Sequence, residues 1–223
     1  MINKTEIDEL GVIWRIHYDV NSDDLFIEIK YDNSFELYSL NLDDRFTLNN
    51  YENYVQNIIT LQFPYVLLSY RHKDNLLDDQ IIALYNLDLG KEMWLSSDLR
   101  VEEVYDKSIM VYHPKISPKS FYYINFDKEK IDEPKHFKQL PKITYAENEN
   151  NFVQMIDGES EATINFEKSE IEIKVGEFKY LDKLNSQENY NADYEYLMKI
   201  NNIVLFILDK HRLNIYRINN RNS

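Results

Sequence analysis

One tetrapeptide recurs along this chain at nearly even spacing. It stands as LNLD at 40–43, YNLD at 85–88, INFD at 124–127 and INFE at 164–167, in steps of 45, 39 and 40 residues. A weaker fifth copy, IYRI at 215–218, follows after 51. Self-similarity at about 40 residues restricts a chain to architectures that use one supersecondary unit repeatedly. Before each copy comes a strand-like run: LFIEIKY (25–31), YVLLSYRH (65–72), SIMVYHP (108–114), NFVQMID (151–157) and IVLFILDK (203–210). Earlier runs precede these, namely IWRIHYD (13–19), IITLQF (58–63), VEEVYD (101–106), ITYAE (143–147) and YEYLMKI (194–200). Closing runs follow the first four copies: RFTL (45–48), KEMWL (91–95), EKID (129–132) and EIEIKV (170–175).

Four short strands per unit, repeated about five times, predict an all-β chain folded as a β-propeller. A lone four-stranded unit cannot bury both faces, whereas units set around a ring bury each face against a neighbour. The predicted blades are 13–48, 58–96, 101–134, 143–175 and 194–218, within one domain. The last blade lacks a fourth strand. KTEIDEL (4–10) reads like KEKIDEP (128–134), the closing run of the third unit, and is predicted to complete the last blade and close the ring. Within the tetrapeptide, the apolar third residue is expected in the inter-blade core. The acid after it is expected to accept hydrogen bonds from the turn backbone. NYENYVQNIITL (50–61) is the best candidate for a turn or two of helix, and 176–194 reads as an inter-blade loop or an insertion.

LYNLDLGKEMW (84–94) resembles the quinoprotein-type propeller repeat ALDxxTGKxxW, matching at Gly90, Lys91 and Trp94. Asn86 stands where that repeat has Asp, and Leu89 where it has Thr. In such repeats the glycine permits a tight turn and the tryptophan packs between blades. Over roughly its first hundred residues, IWRIHYD…LFIEIKYD…FELYSLNL followed by IIALYNLDLGKEMW, the chain is similar to a bacterial domain-of-unknown-function family, number 4905. That resemblance implies a propeller-like fold and no established activity. It does not imply a quinone cofactor, and none is expected, because quinone-dependent dehydrogenases resemble larger rings of about eight blades.

Composition narrows the function classes. The 223 residues carry a formal charge of −14, which disfavours phosphate backbones and anionic membranes. With 43% apolar residues a real core is available, and 18 Tyr against four Gly lean toward strands. The absence of cysteine removes thiolate nucleophiles, disulfides and Cys-based zinc sites. MINKTEIDEL shows no basic-then-apolar leader, so a cytoplasmic location is expected. A monomer or weak oligomer is the expected state.

Candidate site residues fall in two groups. Arg15, His17, Glu28 and Lys30 alternate with apolar neighbours on two successive strands, and antiparallel pairing is expected to set Arg15 against Glu28. They form either a polar site near the ring axis or a structural ion pair. In a propeller the long loops emerge on one face, here RHKDNLLDDQ (71–80), HPKISPK (113–119), PKHFKQLPK (134–142) and 176–194. They bring His72, His113 and His136, with Tyr70, Arg71 and Tyr112 beside them, as candidates for ligand contact. The plainer reading is three solvated histidines. No spacing supports a metal, and DVNSDD (19–24), which sets Asp19, Asn21 and Asp23 at alternate positions, reads as a polar hairpin loop because Asp24 and Lys30 stand where a calcium loop has Gly and Glu. No G-x-S-x-G, P-loop or G-x-G-x-x-G is present.

The expected function is a non-catalytic binding module for a protein or small-molecule ligand. The alternative is a glycan-acting hydrolase using two axial carboxylates about 5–10 Å apart.

Overall fold

A computed structural model of the chain describes residues 1–32, 34–49, 51–76, 81–127, 143–145, 147–149, 152–156, 160–165, 167–184 and 196–219. The chain forms two compact units, Trp14–Leu140 and Met1–Ile13 with Pro141–Ser223. The described regular structure is β-strand, twenty-one strands in antiparallel sheets. The first strand, β1 (Ile2–Asp8), belongs to the second of these units.

The unit Trp14–Leu140 carries three sheets whose strands follow chain order. The first contains β2 (Val12–Asp19), β3 (Asp24–Lys30), β4 (Phe35–Ser39) and β5 (Asp44–Leu48). The second contains β6 (Tyr54–Gln62), β7 (Tyr65–His72), β8 (Ile81–Asn86) and β9 (Lys91–Ser96). The third contains β10 (Arg100–Tyr105), β11 (Ser108–Tyr112) and β12 (Phe121–Asn125). The stretch expected to hold a helical turn is largely β6. Its Val, Ile and Thr residues favour extended backbone, and pairing with β7 from Tyr54↔His72 to Gln62↔Tyr65 provides the ladder.

Apolar runs in β7 are continuous because the strand is covered on both faces. Val66, Leu68 and Tyr70 join a layer with Phe26, Leu37 and Leu48 of the first sheet. Leu67 faces the other way, into a layer with Ile82, Leu84, Ile109, Val111 and Phe126. Each such fully buried aliphatic or aromatic side chain contributes about 1.5–3 kcal/mol relative to exposure. Trp94 packs partly buried against the second layer, and Gly90 turns the hairpin before it at φ 58°. With so few glycines, most other left-handed positions fall to polar residues that tolerate them, including Asp23, Asp43, Asn53, Ser169 and Asn201.

The remaining strands are β13 (Ile143–Tyr145), β14 (Glu147–Glu149), β15 (Phe152–Ile156), β16 (Ser160–Asn165), β17 (Glu170–Val175), β18 (Phe178–Lys183), β19 (Tyr196–Ile200), β20 (Ile203–Asp209) and β21 (Arg212–Ile218). One sheet runs β14-β15-β16-β17-β18 and the other β1-β21-β20-β19-β13. β18 lies in the stretch read as loop or insertion and pairs with β17 from Val175↔Phe178 to Glu170↔Lys183 through a turn at Gly176, φ 57°. The run at 143–147 is shared out, β13 pairing with β19 and β14 with β15. β1 pairs with β21 along its whole length, Ile2↔Ile218 to Asp8↔Arg212. Ile2 joins Ile164, Ile173, Phe206 and Tyr216 in one core cluster.

The tetrapeptide works differently from expectation. Leu87 and Phe126 are buried, but Leu42 is 53% exposed, and Phe166 lies outside the described residues. In the last three copies the turn acceptor is the asparagine, whereas in the first Asn41 donates to the Asp23 carbonyl and Ser39 Oγ accepts from the Leu42 amide. Asn86 Oδ1 accepts from the Leu89 amide at 2.9 Å, Asn125 Oδ1 from the Asp127 amide at 3.0 Å, and Asn165 Oδ1 from the Lys168 amide at 3.0 Å. The residue that enters the turn, two or three positions before the open amide, has the reach for an Asx bond; the acid lies too far along.

Candidate functional site

Hairpin chemistry uses up the acids of DVNSDD. Asp19 accepts from the Ser22 amide at 3.0 Å and from the Ser22 hydroxyl at 2.5 Å, closing the β2–β3 turn. Asp24, 2% exposed, accepts from the amides of Leu25 and Asn41 and from the Ser39 hydroxyl. These are turn and strand-end acceptors. No group of three or more His, Asp or Glu among the described residues is placed to hold a metal.

No ion pair between Arg15 and Glu28 is among the described contacts. Arg15 Nη1 donates to Asn57 Oδ1 on β6 instead, and His17 Nε2 donates to Glu28 Oε2 at 2.8 Å. The physical reason is reach. Arg15 is exposed on β2, where its long stem extends to the next sheet, while the shorter imidazole stays over β3. Glu28 is 1% exposed, and its second oxygen, Oε1, has no partner among the described residues. Lys30 lies over the Trp14 ring at 3.8 Å. Burial pulls its ammonium below the usual lysine value, opposed by Glu28 and assisted by Arg15. Asn57 on β6, which receives Arg15, and its buried neighbour Gln56 escaped sequence reading. Their signal was two adjacent amides inside an otherwise apolar strand, masked by the expectation of a helical turn.

The loop group is placed on strand ends. Tyr70, Arg71 and His72 end β7. Tyr70 is core, its ring edge-on to Tyr51 at 4.8 Å and its hydroxyl donating to the Asn49 carbonyl at 3.3 Å. Burial pushes that phenol well above the ordinary tyrosine value. Arg71 donates to the Leu76 carbonyl at 3.3 Å. His72 packs edge-on against Tyr54 at 5.3 Å, and its Nδ1 accepts from the Asp74 amide at 3.2 Å. Tyr112 ends β11 under the Lys119 ammonium, 4.0 Å from its ring. His113 Nδ1 accepts from the Lys115 amide at 3.3 Å. Each imidazole therefore caps its own loop, and no described contact joins His72 to His113. His136 lies outside the described residues.

The unit that contains β1 holds a cleft of about 170 Å³, lined chiefly by Lys4, Glu6, Asp8, Lys183, Arg212 and Asn214. Lys4 Nζ lies 2.5 Å from both Glu6 Oε1 and Asp182 Oδ2, and the Tyr216 hydroxyl donates to Asp182 at 2.9 Å. Burial works against the Lys4 ammonium, but the bonds to Asp182 and Glu6 outweigh it and hold its pKa above the usual lysine value. Sequence reading placed no site here, because β18 itself was not foreseen.

No family model matches the sequence, and no curated protein matches it. Several solved structures are similar. A chain of the crystal structure of a mitotic checkpoint complex shares 6% identity, over 97% of this chain and 91% of that one, at a TM-score of 0.42. The β-propeller domain of Cps50 (Swd1) from Myceliophteria thermophila shares 10% identity, over 98% and 100%, at 0.41. Hsv2 from Kluyveromyces lactis shares 12%, over 91% and 62%, at 0.31. At 6% to 12% identity these likenesses assign no role to any residue.

Proposed function

We propose that the chain is a five-bladed β-propeller closed by its own N-terminal strand, and that it serves as a cytoplasmic, non-catalytic binding module. The observation that carries this reading is the seven-residue pairing of β1 with β21, which puts both ends of the chain in one sheet. Five sheets supply the blades in this reading, four with their strands in chain order and the fifth running β1-β21-β20-β19-β13. Pairing the first strand with the last leaves no terminal blade to open on its own. Kinship with family 4905 is part of the same proposal, supported by the residues of 13–42 and 81–94.

The contact surface in this reading is the rim where the second strands of successive blades end. Arg71 and His72 stand there at the end of β7, and Tyr112 and His113 at the end of β11. A rigid sheet with imidazole, guanidinium and phenol groups at its strand ends suits recognition of a polar partner, either a protein or a small molecule. Crystallographic soaking with a library of small polar fragments tests this. Fragments gathering on Arg71, His72, Tyr112 and His113 support the rim. Fragments gathering elsewhere, or turnover of a panel of chromogenic glycosides, overturn the reading.

A further inference from the structure

Among the described residues, the buried side-chain atoms without a partner include Glu28 Oε1 and both amide atoms of Gln56. Glu28 is 1% exposed and Gln56 6%. The registers place them in one layer. Glu28 lies opposite Leu37 on β4, and Gln56 lies opposite Tyr70 on β7. Leu37 and Tyr70 belong to the same apolar cluster between the first two sheets. Directly opposed residues share a face of their sheet, so both polar side chains enter that layer. Arg15 and His17 lie two positions apart on β2, where His17 bonds Glu28 and Arg15 bonds Asn57, the residue after Gln56 and on the opposite face of β6.

Folded proteins seldom leave such atoms bare, because a buried group without a hydrogen-bond partner keeps the full penalty of losing its water. Ordered water is the usual remedy where several polar groups converge. We propose that Glu28 and Gln56 hold ordered water between the first and second sheets. One water donates to Glu28 Oε1 and accepts from Gln56 Nε2. Its remaining hydrogen, or a second water, serves Gln56 Oε1. The arithmetic of donors and acceptors closes, since water supplies two of each.

A cation is the wrong guest. Lys30 already lies in the field of this carboxylate and of Arg15, and it is partly desolvated there. A third positive charge would meet repulsion from both. A neutral O–H donor meets none. His17, whose side chain is 19% exposed, and the exposed Arg15 mark the side from which water enters.

Gln56→Leu gives opposite signs for the two possibilities. If water is bound, the leucine removes its second anchor and strands Glu28 Oε1, and the melting temperature falls by about 2–6 °C on the usual scale for a chain of this size. If no water is bound, the leucine deletes two orphaned atoms and the melting temperature rises. A crystal structure of the unaltered protein, at a resolution that orders solvent, is the second readout. Density within about 3.2 Å of both Glu28 Oε1 and the Gln56 amide supports the proposal. A direct Glu28–Gln56 bond, or an empty layer, overturns it even if the variant does not fold.

Discussion

The side-chain amide of Gln62 donates to the backbone carbonyl of Tyr105 at 2.9 Å, across 43 positions of sequence. The same side chain accepts from the Lys107 amide through its Oε1. Gln62 is 1% exposed, so one residue at the end of β6 satisfies two backbone groups at the β10–β11 turn. That turn needs help, because Lys107 sits at φ 52° without being glycine. Replacing Gln62 with leucine strands both backbone groups, at a cost of about 2–4 kcal/mol. Urea unfolding of Gln62→Leu measures this. A midpoint equal to that of the unaltered protein refutes the clamp.

Removal of residues 1–8 tests the terminal pairing. It strips β21 of a whole partner strand and takes Ile2 and Ile7, both under 9% exposed, out of the core. Two buried isoleucines alone represent about 4 kcal/mol. The expected result is a melting temperature lower by about 10 °C or more, with loss of a single cooperative transition. A truncated chain that melts like the full one contradicts both the pairing and the closure built on it.

The recurring asparagine makes a sharper test of the repeat. Asn86→Ala, Asn125→Ala and Asn165→Ala each remove an acceptor for a turn amide, and each is expected to cost about 1 kcal/mol. Asp88→Ala, at an exposed position in the same turn as Asn86, is expected to stay within about 0.5 kcal/mol of neutral. Chemical denaturation of the four variants side by side decides whether the amide or the acid organises the repeat.

Alkaline pH probes the buried phenols. Tyr51 is pushed up to about 12 by burial and by its bond to Glu92. Tyr70 and Tyr216 are driven up as well, chiefly by burial. An unfolded tyrosine loses its proton near about pH 10. Between that value and the raised folded value, unfolding releases a proton, so stability falls as pH rises. The stabilisation is complete below about pH 10 and drains away from there to about pH 12. Phenolate absorbance followed together with circular dichroism is expected to show one group of the 18 tyrosines ionising early and a second ionising only with unfolding. Ionisation of all the tyrosines ahead of any structural change contradicts the buried placement.

Much of the strand plan is legible in particular residues. LFIEIKY and YVLLSYRH read as strands and are β3 and β7, because their apolar content and β-branched neighbours favour a doubly covered ladder. EFKYLDK was harder. β18 alternates too weakly, its pattern mixing exposed Phe178 and Leu181 with half-buried Tyr180, so the polar stretch around it read as loop. The candidate site was legible as types and not as partners. Arg15, His17 and Glu28 share a neighbourhood as their spacing implied, yet the carboxylate is held by the imidazole and the guanidinium by an amide one sheet away.

By itself the sequence determined the all-β character, the forty-residue period and most strand positions, because side-chain alternation and turn chemistry act within a few residues of each other. Only the tertiary structure decided that Asn86 and not Asp88 caps its turn, that Gln62 serves Tyr105 and that Glu28 and Gln56 share one buried layer. A donor finds its acceptor by what lies across the sheet or the layer. Most of those neighbours come from strands tens of residues away, where the local pattern carries no record of them.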